Sequence, residues 1–304
     1  QTMFESAGLP RDMVWLSLVE SGHNPTIRSP VGAAGLWQFM AATARNYGLT
    51  VDRWVDERLD PRRSTEAAIL LLSDLHRRFG NWELAMAAYN MGHGALGRSI
   101  RKYNTNDFWQ LSSYEGGLPW ETSLYVPKIM ALAIVMNNRA AFGLEEIVPD
   151  PVVQFDVVLA NSGTPLTELA RAAGVSREAL GGLNPQLLAD RIPPQPPGRE
   201  PRAWPLYVPM GQGRVTATRL LRRQSEQPDC EPWVLRRGET LESLAAERGT
   251  TESKLRSLNR VASDEVLTAG TVVLLPKGSA TTVTSEAPVV AVSARQLEAP
   301  ERVR

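Results

Sequence analysis

The sequence predicts an α+β chain of several domains, with a mainly helical first half followed by two small βααβ units. Three observations lead there. Residues from about 9 to 143 carry helical periodicity and no convincing alternating strand. The character changes at Val148-Pro149-Asp150-Pro151, a plausible linker. Beyond that point the chain repeats itself. At a shift of 75 positions, Gly163 falls on Gly238, Leu166 on Leu241, Leu169 on Leu244 and Ala170 on Ala245. Gly174 falls on Gly249, Leu180 on Leu255, Leu183 on Leu258 and Asn184 on Asn259. Such self-similarity marks a duplicated structural unit.

The helical half reads in order. Leu9-Pro10-Arg11-Asp12 offers a helix start, and the apolar run Met13 to Val19 behind it marks a buried helix. Further helices are expected over 39–47, 64–79, 82–91 and 121–141. In 64–79, Ala68, Leu71, Leu72 and Leu75 keep a 3.6-residue period. Gly48, Gly80, Gly92 and Gly143 punctuate the ends. Each repeat then reads as a short strand, a Gly turn, a helix, a Gly stop, a second helix and Asn. Closing strands follow at Leu206-Tyr207-Val208-Pro209 and Val273-Leu274-Leu275-Pro276. The first copy differs by a Pro-rich insertion at 192–201. The expected boundaries are 1–147, 152–211, a polar and basic linker with some helix at 212–230, 231–278, and a disordered tail at 279–304.

Composition narrows the partners. The 304 residues hold 33 basic and 33 acidic side chains, which argues against nucleic acid as the main ligand. One cysteine, Cys230, excludes an intramolecular disulfide framework and a Cys-based zinc cluster. Three dispersed histidines give no metal-site spacing, so no metal and no cofactor are expected. No apolar run reaches the roughly 18 residues of a membrane span. The start, QTMFESAGLP, lacks a basic and apolar leader, so a processed or truncated chain is expected, its targeting segment lying outside it.

The richest segment runs from Glu20-Ser21 through Ser29-Pro30 to Gly35-Leu36-Trp37-Gln38-Phe39-Met40. Glu20 ends an apolar helix. Desolvation there disfavours the ionised carboxyl and raises its pKa, and the negative end of the helix dipole pushes the same way. Such a Glu can hold a proton near neutrality and act as a general acid. Taken alone, it could equally be a Glu reaching water from a helix end.

The neighbours decide. ES-x-x-N-P, S-P-x-G-A-x-G-L-W-Q-F-M, Ala88-Tyr89-Asn90-Met91-Gly92, and Pro119-Trp120-Glu121-Thr122 with Tyr125-Val126-Pro127-Lys128 form an ordered set. Over about residues 5–143 it resembles glycoside hydrolase family 23, the soluble-lytic-transglycosylase-like domain of the lysozyme superfamily. VDERLDP and NWELAMAAYNMG resemble one membrane-bound branch of it. The resemblance implies a lysozyme-like fold with Glu20 as catalytic acid/base. It implies sugar contacts at Gln38 and Met40, and a place near the catalytic centre for Ser29. It implies a Tyr89 hydroxyl beside Glu20, with Asn90 in the same motif, substrate contact at Glu121 and a supporting aromatic in Tyr125. His93 departs from the family, which often has Glu at that position. It reads as a neutral loop replacement, or else as a group that tunes pH response or contacts substrate.

The second copy, Trp233 to Leu241 with Leu244-Ala245, Leu255, Leu258-Asn259, Leu267, Gly270 and Pro276, resembles a LysM domain. LysM domains bind N-acetylglucosamine glycans in a groove between two loops. The groove candidates carried over are Gly238, Glu239, Thr240, Leu241 and Leu267. The first copy has Pro165 at the position of Thr240 and reads as a degenerate LysM unit or as a spacer.

The function implied by both resemblances is peptidoglycan cleavage at the MurNAc-β-1,4-GlcNAc bond. A single Glu would leave 1,6-anhydroMurNAc ends, and the LysM unit would retain the glycan. A hydrolytic muramidase and a non-catalytic wall-binding scaffold are the alternatives. The implied partner is the glycan strand, with further cell-wall enzymes open. The implied compartment is the periplasm, with an outer-membrane lipid anchor in a segment outside this sequence.

Overall fold

The computed structural model describes residues 1–148, 150–198, 203–223 and 229–277. The expected disordered tail and part of the Pro-rich insertion lie outside those residues. The helical part comprises α1 (Thr2–Ser6), α2 (Trp15–Ser21), α3 (Ala41–Asn46), α4 (Pro61–Phe79), α5 (Trp82–Met91), α6 (His93–Tyr103), α7 (Phe108–Ser113) and α8 (Trp120–Asn137). Helix α5 is its axle. Leu84, Ala85, Met86, Ala87 and Ala88 are all buried, and α4, α6, α7 and α8 pack around it. A run of alanines lets those neighbours approach closely, and the helix is apolar on every face that they cover.

Local chemistry sets the boundaries. The Asp60 carboxylate accepts from the Arg62 and Arg63 amides, and Pro61 fills the first turn, so α4 starts three residues before its expected position. Gly80 closes α4 in the left-handed conformation. Asn81 and Asp107 cap α5 and α7. The expected helix from Leu9 splits into a 3₁₀ turn at Arg11–Val14 followed by α2. Helices α1, α6 and α7 are additions to the expected elements, because Gly92 and Gly94 read as loop and two of the three helices are only one turn or so long.

The second part holds β1 (Phe155–Ala160), α9 (Leu166–Ala173), α10 (Arg177–Leu183), β2 (Trp204–Pro209) and α11 (Gly213–Arg223). The third holds β3 (Cys230–Val234), α12 (Leu241–Glu247), α13 (Glu252–Asn259) and β4 (Val272–Pro276). Each is an antiparallel pair, Val157 opposite Tyr207 and Trp233 opposite Val273, covered by two helices. This is the expected βααβ order. One correction concerns 212–230, expected as a linker with some helix but not as part of a folded unit. Helix α11 within it packs on α9 and β1, and Leu220 joins the core of the first repeat. Its apolar positions are masked in the sequence by the arginines between them.

Candidate active site

The site is assembled where α2, α5, α8 and the segment 27–40 converge. Glu20 sits half-buried at the end of α2, and Gly22 terminates that helix in the left-handed conformation. Ser21 ties the two motifs together, its hydroxyl lying 2.9 Å from both the Ser17 and Leu36 carbonyls. The segment 27–40 folds back on itself through the Arg28–Ala34 and Ala34–Phe39 pairings. Gly35 is obligatory there. It has φ +80°, and a Cβ would lie 1.8 Å from the Arg58 carbonyl oxygen.

The Tyr125 hydroxyl, from α8, donates to Glu20 Oε1 at 2.5 Å. Burial pushes the Glu20 carboxyl above its ordinary pKa; the Tyr125 hydrogen bond pulls it back, and the charge of Glu121 raises it again. Tyr125 and Tyr89 are held well above the usual phenol range, by burial first and then by the Glu20 charge. Both phenols therefore remain hydrogen-bond donors. Tyr89, expected to put its hydroxyl beside Glu20, lies near enough to feel the Glu20 charge and donates to the Trp37 carbonyl at 2.6 Å, while the direct hydrogen bond to Glu20 comes from Tyr125. The motif locates both tyrosines, but which one reaches the carboxyl depends on how α5 and α8 cross.

The other expected residues fall as follows. Asn90 accepts from the Thr122 hydroxyl at 2.7 Å, which fixes its side chain. Gln38 has φ +45°, and its amide nitrogen donates to the Gly35 carbonyl at 2.8 Å. Met40 is exposed, as is Glu121 in the first turn of α8, where the helix dipole favours a carboxylate. The Ser29 hydroxyl accepts from the Ala33 amide at 3.0 Å and shapes the turn. His93 is exposed at the start of α6, and His23 Nδ1 shares a 2.8 Å hydrogen bond with Ser17.

Sequence reasoning misses three supports: Ser21, Thr122 and Arg58. Thr122 and Tyr125 lie three apart and so share one face of α8, a signal that the spacing does carry. Arg58 leaves no such trace. Its guanidinium is buried, donates to the Gly32 and Phe39 carbonyls at 2.7 and 2.8 Å, and pairs with Asp56. Burial pushes the Asp56 carboxyl up, but Arg58 and Arg28 together hold it below its ordinary value. Among the described residues, no cluster of His, Cys, Asp and Glu could hold a metal ion, and no helix is long and apolar enough to cross a membrane.

In the second repeat, the carried-over groove residues divide. Gly238 has φ +89° and open space beside it. The Glu239 carboxylate accepts from Trp233 Nε1 at 2.9 Å and the Arg236 amide at 2.8 Å, so it is committed within the loop. The Arg236 amide, then the Trp233 ring, hold it below the usual Glu pKa. Thr240 caps α12 in a reciprocal box with Ser243. Leu241, expected at the groove, is a core residue at 4% exposure, a correction that follows from its being the first turn of a helix packed on the sheet. Leu267 is half-buried against the same core.

Comparison with known proteins agrees with this order of parts. The Transglycosylase SLT domain family matches residues 6–112, the LysM-like domain of lytic transglycosylase MltD matches 154–222, and the LysM domain matches 234–276. The chain is 30% identical over 263 residues to membrane-bound lytic murein transglycosylase D of Escherichia coli, covering 83% of this chain and 57% of that protein. It therefore spans just over half the length of that relative. It is 39% identical over 110 residues to peptidoglycan transglycosylase gp16 of Escherichia phage T7, covering 35% of this chain and 8% of that one. The solved lytic transglycosylase Slt of Pseudomonas aeruginosa aligns at 26% identity and TM-score 0.38, covering 45% of this chain and 23% of that one. The first part of the chain thus belongs to the transglycosylase SLT family, and an MltD-type LysM-like unit and a LysM unit follow it.

Proposed function

We propose that this chain is a peptidoglycan lytic transglycosylase that cuts the MurNAc-β-1,4-GlcNAc bond with Glu20 as its single acid/base. The observation that carries the reading is the environment of Glu20, a half-buried carboxyl with a raised pKa and a tyrosine hydroxyl on one oxygen. Two-carboxylate glycosidases need a second acid across the scissile bond. The nearby candidate is Glu121, exposed at a helix start and suited to contacting substrate.

One acid suffices when the substrate supplies its own nucleophile. Protonated Glu20 gives its proton to the leaving glycosidic oxygen as the C1–O bond breaks. The resulting carboxylate takes the proton of the MurNAc C6 hydroxyl as that oxygen bonds to C1. Glu20 ends protonated, and the product is a 1,6-anhydro ring. The tethered hydroxyl has the entropic advantage of an intramolecular attack. Tyr125 orients Glu20, and Tyr89 and Ser21 hold the Leu36–Gln38 backbone that would line the sugar subsites. The second LysM unit would retain the polymer near the site. A peptidoglycan substrate would put the working protein in the periplasm.

The test is mass spectrometry of digested sacculi. Anhydro ends, one water lighter than reducing ends, are expected; reducing ends alone would make the enzyme a muramidase. Glu20→Gln is expected to lose roughly 10²–10⁴-fold in turnover. Activity requires protonated Glu20 and so falls as pH rises through its raised pKa. Removing the Tyr125 hydroxyl takes away the hydrogen bond that lowers that pKa. In Tyr125→Phe the alkaline limb of the rate profile therefore moves to higher pH.

A further inference from the structure

The two repeats treat their loops differently. In the second, the loops at 238–241 and 262–270, between which a LysM groove lies, share no backbone hydrogen bond among the described residues. In the first, the chain closes the corresponding space on itself. The Gly163 amide donates to the Ile192 carbonyl, the Ile192 amide to Thr164, and the Leu166 amide to Asp190, at 2.8–3.1 Å. Pro165 and Arg191 pair as an antiparallel bridge, and the Arg191 guanidinium reaches the Gly163 carbonyl at 3.0 Å. Residues 190–192 thus take up the amides of Gly163 and Leu166 and the carbonyls of Gly163 and Thr164.

The neighbouring residues turn the same loop toward the helical domain. The Leu188 amide donates to the Trp54 carbonyl and the Asp56 amide to the Gln186 carbonyl, both at 2.9 Å, with Val55 and Leu187 bridged between them. Buried Trp54, Val55, Ala189 and Leu274 form one apolar cluster. The Tyr207 hydroxyl donates to Asp60 Oδ2 at 2.9 Å, on the carboxylate that caps α4. Between these anchors lies Arg58, whose guanidinium holds the Gly32 and Phe39 carbonyls on either side of Gln38.

We propose that the first LysM-like unit is a bracket rather than a glycan-binding module: it fills its own groove with residues 190–192 and, through 186–188 and Tyr207, fixes the strap 54–60 that positions the glycan-contacting segment 29–40. The inference rests on the catalytic reading of that segment. Tyr207 and Leu187 are positioning residues that act through Arg58 and Asp60. A shift of the order of 1 Å in a substrate-binding segment is enough to weaken productive binding substantially. The bracket therefore shows in KM more than in kcat.

The experiment uses the full chain with two variants. Leu187→Asp puts a charge into the junction; Tyr207→Phe removes one hydroxyl and keeps the ring. Amide hydrogen exchange and KM on soluble, uncrosslinked glycan strands are measured for each. In both variants, exchange should speed up at 54–56 and across 29–40. KM should rise about tenfold in Leu187→Asp and less in Tyr207→Phe, with kcat moving less than KM. Titration of the Glu20→Gln chain with N-acetylglucosamine tetramer should shift amides near Gly238 and leave Gly163–Leu166 unmoved. Shifts at 163–166 would overturn the closed groove. Faster exchange at 54–56 with unaltered KM and unaltered exchange at 29–40 would overturn the bracket. If Leu187→Asp does not fold, Tyr207→Phe decides alone, and unchanged exchange and KM in it also overturn the bracket. A wild-type chain without activity would instead sink the catalytic reading, and exchange would still report on the bracket.

Discussion

The two repeats share one internal frame and differ at their edges. Asn184 donates to the Leu180 and Tyr207 carbonyls and accepts from the Tyr207 amide. Asn259 makes the same three bonds with Leu255 and Leu274. Both asparagines are buried, at 1% and 0% exposure, so each stitches its second helix to its closing strand. The insertion lies between Asn184 and Tyr207, outside that stitch, so the chain could lengthen there without disturbing the core. The comparison teaches that duplicated cores constrain fold, while the loops between fixed points decide what each copy touches. One copy joined its two loops to each other and bound 186–188 to the helical domain through backbone hydrogen bonds; in the other the two loops share no backbone hydrogen bond among the described residues, and Glu265 reaches Arg53 of the helical domain through a side-chain ion pair at 2.8 Å.

The largest effect that sharpens this comparison comes from the shared asparagines. Asn184→Ala and Asn259→Ala should each cost about 3 kcal/mol, because buried backbone groups lose their partners. Thermal unfolding checks the cost. The consequences should then part: Asn184→Ala raises KM, whereas Asn259→Ala weakens retention on sacculi and leaves cleavage of short strands alone. Equal effects on both readouts would erase the distinction between bracket and binder.

A smaller effect is expected at Glu239, which has no counterpart in the first repeat, where Thr164 stands. Glu239→Ala should cost about 1.5 kcal/mol, the scale of hydrogen bonds to an ionised group. Its folded pKa is depressed, so the stabilisation is present above the ordinary Glu value and is lost as pH falls through the folded one. Sacculus retention measured against pH should therefore weaken on the acid side in the wild type, and lose that dependence in Glu239→Ala.

The smallest effects concern the helix starts. Thr240→Ala removes a cap and should cost about 1 kcal/mol. Pro165 makes no side-chain cap bond, so Pro165→Ala should change stability by only about 0.5 kcal/mol, through the freedom of the unfolded chain. Denaturant unfolding of the pair measures the asymmetry; a larger loss at Pro165 would mean the first repeat depends on its closed loop for its own stability.

Much of the fold is legible in the amino-acid sequence. The 3.6-residue period of 64–79 and the alanine-rich 82–91 locate α4 and α5, and the shift of 75 residues locates both repeats. Short α1 and α7 are not legible, because one to two turns carry too few positions to show a period. Helix α11 reads as part of a linker with some helix, since the exposed Arg214, Arg219 and Arg222 dominate the segment and hide the fact that Leu220 joins a core. At the site, motif spacing picks out Glu20, Tyr89, Asn90 and Tyr125, which converge. It does not say which tyrosine meets the carboxyl, nor does it find Arg58, whose partners Gly32 and Phe39 are 26 and 19 residues away.

The sequence by itself determined the longer elements, the duplication and the candidate acid, because periodicity, caps and local motifs are written in residue types close together along the chain. Only the tertiary structure decided that Tyr125 donates to Glu20, that Arg58 holds the segment around Gln38, and that the first repeat closes on itself and docks on residues 54–60. Those contacts join backbone carbonyls and amides from distant segments, and every residue type carries the same backbone groups. Where they meet is set by the packing of helices and loops, which no local pattern encodes.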